Sequence, residues 1–396
     1  MHLPWMDYAR ATSHRGVLQL AWWLLVCAEI AAQAGASLYS FEVTHRYSEK
    51  ARRELQERHG DAFHDWPQQG TPEFHNMLYF LDLHRHHGHL ARASRSSPLM
   101  ASSVGNATYY NRHDGLQYTY IELGTPSQKY FVALDTGSDL LWLPCAHCVS
   151  CAPSFVPTYN ATYNSYDPSG STTFERVACD SPYCELARQC AVGTTQCPYR
   201  LQYLSPASTE GYLVEDVMYL VPQKGGKKIA TDIVFGCGTN QTGAFLSGTT
   251  VPNGLLGLGM QNISIPSILA RAKIMADSFS MCFDYGLGTG RLVFGDRGPS
   301  KAHSTRIITA VNPSYYRVRL RYVVVGGVRV LTPVMAIFDT GTTYTYLNSI
   351  SYGLVTAAVV LQTASVVVSV GIPSSGESLC LIFFCRLTEQ FLTEES

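Results

Sequence analysis

The sequence predicts an all-β protein of two lobes, and three observations carry that prediction. Gly, Tyr, Val, Ser and Thr are abundant while charged residues make up only 15 % of the chain, the composition of a turn-rich β protein. At 396 residues the chain is long enough for two domains. An apolar run leading into an Asp-Thr-Gly turn occurs twice, within residues 131–145 and 334–347. Its two aspartates, Asp135 and Asp339, lie 204 residues apart, the length of one lobe. A carboxylate beside an apolar run is costly unless it is hydrogen-bonded or protonated. A doubled turn of this kind therefore marks a site.

Composition excludes some functions. Lys and Arg number 29 against 30 Asp and Glu, which argues against a general nucleic-acid binder. Twelve cysteines point to an oxidising compartment. The N-terminus agrees: Arg10, His14 and Arg15 precede an apolar run at 17–30, and small residues follow at 31–37. Residues 1–36 read as a secretory signal peptide, since the apolar run is short and broken by Gln19 and Glu29. Asn106, Asn160, Asn240 and Asn262 each open an Asn-X-Ser/Thr sequon, in keeping with secretion.

Residues 37–105 differ in character. Arg52, Arg53, Glu54, Glu57 and Arg58 make a charged, helix-like segment, and eight of the thirteen histidines fall between His45 and His89. No metal-ligand spacing is present there, so we read a solvated, removable pro-segment. The expectation is that this basic segment covers a carboxylate site near neutral pH and lets go in acid. There its histidines gain charge, but the carboxylates it faces are protonated and no longer attract it.

The first lobe is read as residues 106–305. A strand at 118–123, a Gly124-Thr-Pro-Ser turn and a strand at 129–134 feed Asp135. Cys145, Cys148, Cys151, Cys179, Cys184, Cys190 and Cys197 follow. The Cys-X2-Cys-X2-Cys spacing could hold zinc, but an oxidising compartment favours disulfides, whose pairing the spacing does not give. Residues 199–203 and 212–221 form a hairpin around a turn at 206–211, and 224–228 is a solvated Gly/Lys loop. Residues 233–237 and 254–259 are apolar strands closed by glycines. Residues 265–273, with Pro266 early, are the best short helix, and 291–296 is another strand. The second lobe is read as 306–396, entered through a polar boundary at 298–313. Its hairpin at 315–330 carries Arg317, Arg319 and Arg321 at period two, which places them on one solvent face.

These motifs, with the Trp142-Leu-Pro-Cys continuation, resemble those of the pepsin-like aspartic proteases, and in detail the secreted, cysteine-rich plant branch that includes the nepenthesins. The resemblance covers residues 118–347. It implies a bilobal fold in which Asp135 and Asp339 meet at the lobe interface and hold one water. One then acts as general base and the other as general acid in peptide hydrolysis at acid pH. It further implies that Gly137 and Gly341 permit close backbone approach, that Ser138 and Thr342 donate to the carboxylates, and that Thr136 and Thr340 tie the turns together. Tyr203 takes the place of a flap tyrosine that closes over substrate, with Trp142 as its partner. The family's Gly-Asp-Gly-Ser after that tyrosine is here Leu204-Ser-Pro-Ala, which leaves Tyr199 as a rival. The implied protein needs no cofactor or metal and is a monomer, extracellular or vacuolar. It takes protein or peptide substrates and has neither a nucleic-acid partner nor a membrane anchor.

The chain departs from the family after Asp339. Only 57 residues follow it, where a complete lobe needs about a hundred, and none matches 254–259. Residues 354–372 are Val- and Ala-rich, but Gln362, Thr363 and Ser365 break any membrane span. The expectation is a partial C-terminal lobe with an atypical tail, exposed strand edges and exposed apolar surface. Cys282, Cys380 and Cys385 then need not pair as in the family. A second reading, of a different class, is a catalytically inactive truncated homologue that at most binds peptides.

Overall fold

The structure is a computed structural model. It describes residues 37–45, 71, 116–363 and 379–384, except 152–154, 157–160, 163, 185–189, 191–194, 204–206, 225, 248–252, 285–288, 299–303, 310–314 and 343–344. The residues read as a signal peptide, most of those read as a pro-segment with all its histidines but His45, and Asn106, Asn160 and Cys385 lie outside the described residues.

The first strands are β1 (Tyr39–His45), β2 (Gln117–Leu123), β3 (Gln128–Asp135) and β4 (Trp142–Pro144). In the cysteine-rich insert, β5 (Phe155–Val156) pairs only with β6 (Ala161–Thr162), and β7 (Glu175–Arg176) returns to the main sheet. Then come β8 (Pro198–Gln202), β9 (Ser208–Leu220), β10 (Ile229–Gln241), β11 (Leu255–Gly257) and helix α1 (Ile265–Arg271). The strands β12 (Ser278–Asp284) and β13 (Thr289–Phe294) close the first lobe. Beyond them lie β14 (Arg317–Val325), β15 (Val328–Ile337), helix α2 (Ser349–Thr363) and β16 (Leu379–Phe384).

Twelve strands share one sheet, ordered β16-β12-β13-β1-β2-β3-β11-β4-β10-β9-β7 with β8 beside β9. Period-two alternation explains how β9 sits in it. Val214, Met218 and Leu220 point into the core, while Glu215, Val217 and Tyr219 stay half-exposed. Strand β3 is central, so its last four residues, Val132 to Asp135, are all buried. Around them pack Tyr118, Trp142, Phe235 and Leu256. Strand β1, from the stretch read as a pro-segment, is part of this sheet. It pairs with β13 from Tyr39 to Thr44 and buries Tyr39 and Val43.

One inward position of β9 is a carboxylate. Asp216 is fully buried and accepts from Tyr166 Oη at 2.7 Å, Thr173 Oγ1 at 2.5 Å and the Val217 amide at 2.8 Å. Three donors offset the cost of burying it and dock the cysteine-rich insert onto β9. Burial, and then this carboxylate, push Tyr130 up to about 12.

The cysteines of the insert are disulfides. Cys145 joins Cys237, Cys148 joins Cys151, Cys179 joins Cys190, and Cys184 joins Cys197. Cys282 is also disulfide-bonded, and the residue opposite it across β12 and β16 is Cys380.

Two local expectations change. The hairpin turn is shorter than 206–211, because Ser208 to Gly211 continue the ladder with β8. The three arginines do not share one environment: Arg319 and Arg321 are exposed, but Arg317 is partly buried and stacks on Tyr315 at 5.9 Å. Arg317 and Arg319 keep one register, opposite Ile337 and Met335, so Arg317 differs through its place at the start of β14 beside Tyr315. The register shift between Leu320 and Tyr322 displaces Arg321 alone. Part of the Val- and Ala-rich stretch is helix α2, packed on the β14–β15 hairpin. Among the described residues no helix is long and apolar enough to cross a membrane.

That hairpin is a two-stranded sheet of its own. Leu331 is 71 % exposed, Ile350 77 % and Leu361 82 %, so the described part of the second lobe carries the bare apolar surface expected of it.

On the outer face of the main sheet, Glu175 lies directly opposite Glu215, and Asp232 shares that face one pair further on. Like charges placed opposite one another destabilise a sheet. Burial, then Asp232 and Glu175, raise the Glu215 carboxyl above its ordinary value. The folded state therefore holds that proton more tightly than the unfolded chain, and the stability it contributes is lost as pH rises through the raised value. Replacing Glu215 by Gln should raise stability at pH 7 by up to about 1 kcal/mol, the scale of a partly exposed charge pair, and change little at pH 4. Urea denaturation at the two pH values measures this.

Candidate active site

Asp135 is carried to the site by β3, the strand with least freedom in the sheet. Strand β11 runs parallel to it, with Gly257 beside Asp135, and meets β4 on its other side. The Leu258 amide donates to the Asp135 carbonyl at 2.8 Å, and the Gly259 amide to the Ser138 carbonyl at 2.8 Å. Farther on, the Gln261 amide donates to Asp139 Oδ1 at 2.9 Å. These bonds fix the turn after Asp135 from behind. Glycines are required because a Cβ on Gly257 would lie 2.5 Å from the Leu140 amide nitrogen, and one on Gly259 would meet Asp139 Oδ1.

The two turns carry the same bonds. Asp135 is 3 % exposed and accepts from the Gly137 amide at 2.9 Å and from Ser138 Oγ at 2.6 Å. Asp339 is half-buried and accepts from the Gly341 amide at 2.7 Å and from Thr342 Oγ1 at 2.8 Å. Each carboxylate is thereby oriented by one backbone and one hydroxyl donor.

Between the turns, the threonines exchange bonds. The Thr136 amide donates to Thr340 Oγ1 at 3.1 Å, and the Thr340 amide to Thr136 Oγ1 at 3.0 Å. Each hydroxyl passes its own proton across: Thr136 Oγ1 to the Phe338 carbonyl and Thr340 Oγ1 to the Leu134 carbonyl, both at 2.9 Å. The carbonyls used are those just before the two aspartates. The same contact brings the carboxylates together. A Cβ on Gly137 would lie 2.7 Å from Asp339 Cγ, and one on Gly341 would meet Asp135 Oδ1 while lying 2.9 Å from Asp339 Oδ1. A single atom at that place touches both carboxylates.

A second bond lies close to Asp135: Trp142 Nε1 donates to Tyr203 Oη at 2.7 Å. Burial, and then the Asp135 charge, raise the Tyr203 phenol, which keeps it a donor. Phe245 packs against both aromatics, 5.2 Å from Trp142 and edge-on at 5.0 Å from Tyr203. Tyr199 is elsewhere: buried, 2.9 Å from Thr209 Oγ1 and packed on Gly236. Of the two tyrosines, the structure brings Tyr203 to Trp142 and to the site.

Two contributors had no usable sequence signal. Phe245 sits alone in a 3-10 turn, Gly243–Ser247, and Tyr316 donates from the second lobe to the Leu258 carbonyl at 2.8 Å. Asp216 had one, a carboxylate at an inward position of an alternating strand. Among the described residues no His, Cys, Asp and Glu cluster could hold a metal ion.

Residues 118–296 match the family model described as Xylanase inhibitor N-terminal. Aspartyl protease family protein 1 of Arabidopsis thaliana is 37 % identical over 81 % of this chain and 61 % of that protein. Aspartic proteinase-like protein 1 of the same plant is 36 % identical, over 79 % of this chain and 61 % of its own length. Aspartic proteinase nepenthesin-2 of Nepenthes gracilis is 29 % identical, covering 71 % and 63 %. The chain thus spans about three fifths of the length of these curated relatives.

Replacing Thr136 by Val keeps the shape but removes the hydroxyl, leaving the Thr340 amide and the Phe338 carbonyl without their partner. At about 1–3 kcal/mol for each unpaired buried group, the full chain should lose about 2–4 kcal/mol in urea denaturation, allowing for partial exposure. Replacing Tyr203 by Phe strands the buried Trp142 N–H and should lower stability by about 1–3 kcal/mol, with a change in tryptophan emission.

Proposed function

The chain belongs to the plant pepsin-like aspartic proteases, and on that premise we propose that it hydrolyses peptide bonds at acid pH through Asp135 and Asp339. One observation carries the reading: two Asp-Thr-Gly carboxylates face one another across a reciprocal threonine contact. Two facing carboxylates are most stable sharing a single proton. The ionised one takes a proton from a water held between them, and the water attacks the scissile carbonyl. The protonated one donates to that carbonyl oxygen. Ser138, Thr342, Gly137 and Gly341 orient the pair, and Thr136 and Thr340 hold the lobes in register. Tyr203, tied to Trp142, is the flap residue over the substrate.

The same reading covers the rest of the chain. Residues 1–36 direct it to the secretory pathway and 37–105 are an acid-released pro-segment. Residues 106–305 and 306–396 are the two catalytic lobes. The protein is a secreted or vacuolar monomeric glycoprotein, without membrane anchor or cofactor, acting on proteins or peptides.

The test is cleavage of a denatured globular protein by acidified full-length chain, with and without a transition-state-mimicking peptide inhibitor. Cleavage should be blocked by the inhibitor and fall by about 10²–10⁴-fold or more in Asp135→Asn and in Asp339→Ala. Folded wild-type chain that cleaves nothing at any acid pH would sink the reading and leave a peptide-binding relative.

A further inference from the structure

Four sequons occur in the chain, and the structure describes two of them, those opened by Asn240 and Asn262. A glycan on asparagine is bulky and needs a side chain at the surface with room around it. The two sites differ on both counts.

Asn240 lies near the end of β10, opposite Glu210 of β9 and bridged to Ser150. It is half-buried, and its Nδ2 donates to Glu210 Oε1 at 2.6 Å. Glu210 also reaches Arg200 of β8 at 3.7 Å. On the other side the Gln241 amide donates to the Ser150 carbonyl at 2.6 Å and the Val149 amide to the Thr239 carbonyl at 2.9 Å. The strand around Asn240 is thus paired on both sides, and its amide is committed to Glu210. A sugar on Nδ2 takes one of its two hydrogens and has to fit against the Glu210–Arg200 pair.

Asn262 lies in the turn between β11 and α1 and is exposed. Its neighbours in the triplet point inward: Ile263 is 8 % and Ser264 0 % exposed. The turn is closed by the Ser264 amide donating to the Gln261 carbonyl at 3.0 Å. It is braced from the last turn of α1, where the Arg271 guanidinium donates to the Asn262 carbonyl and lies over the Tyr183 ring at 5.0 Å. Asn262 is therefore the one residue of its sequon left on the surface, on a turn held from both sides.

The structure assigns Asn262 as a glycan acceptor and excludes Asn240 in the folded protein. In the transfer, Asn262 Nδ2 forms a C–N bond to the anomeric carbon of a lipid-linked pyrophosphate oligosaccharide. The lipid pyrophosphate leaves and one amide proton is lost. Transfer precedes folding, so the fold acts by retention: a chain modified at Asn262 folds unhindered, and one modified at Asn240 has to place its sugar where Glu210 and Arg200 meet, which selects against it. The inference rests on the secretory reading above and is independent of the catalytic one.

The test uses the full chain made in a eukaryotic secretory host, digested with trypsin and deglycosylated in heavy-oxygen water. Each occupied asparagine then becomes a labelled aspartate. Label is expected at Asn262 and not at Asn240 in soluble protein. On gels, Asn262→Gln should lose one glycan and Asn240→Gln none. Label at Asn240 in soluble protein, or its absence at Asn262, overturns the assignment. Protease protection of the chain in microsomes prepared from the same host tells whether the secretory reading failed with it.

Discussion

Four hydrogen bonds between two short turns hold this molecule's two halves in register. Each of Thr136 and Thr340 accepts the other's amide and donates to the carbonyl that precedes the opposite aspartate. Because each threonine directly follows its aspartate, the contact fixes both carboxylates at once. Threonine suits the contact in two ways: serine offers the same hydroxyl with more rotamer freedom, and valine has the shape without the bonds. The glycines next in sequence are required by the same geometry, since a methyl group at either would meet a carboxylate of the opposite turn.

What surrounds this contact is unequal. Behind Asp135 stands β11, hydrogen-bonded along the turn, and beyond it a twelve-stranded sheet with its disulfides. The Trp142–Tyr203 pair stands on this side as well, and the Asp135 charge reaches the Tyr203 phenol. Behind Asp339 the described residues supply a two-stranded hairpin and one helix, with Tyr316 reaching back to Leu258. The greater exposure of Asp339 follows from this difference in packing.

Much of the site was legible because it is local. Asp-Thr-Gly-Ser and Asp-Thr-Gly-Thr each contain a carboxylate and a hydroxyl donor within four residues, so the resemblance could name Ser138 and Thr342, while the structure added the Gly137 and Gly341 amides. Strand patterns were legible where one face is buried, as in β3 and β9. At the start of β14 the period says nothing of what lies beside the strand, so it missed the packing of Arg317 on Tyr315. The hairpin turn was read too long because Ser, Thr, Glu and Gly at 208–211 look like turn residues. Thr209 is instead fully buried, and Gly211 is where two backbones meet.

By itself the sequence determined the chemistry: two aspartates in repeated turns, an oxidising environment for the cysteines, and a β-rich scaffold. Those follow from residue types and short spacings, which act over one turn or one strand. Only the tertiary structure decided the partners that are distant in the chain. It joined Cys145 to Cys237 and Thr136 to Thr340, chose Tyr203 over Tyr199 for Trp142, and set Asp216 under the insert. Each of those contacts crosses a sheet or a lobe boundary, and register and packing, which no local pattern encodes, select it.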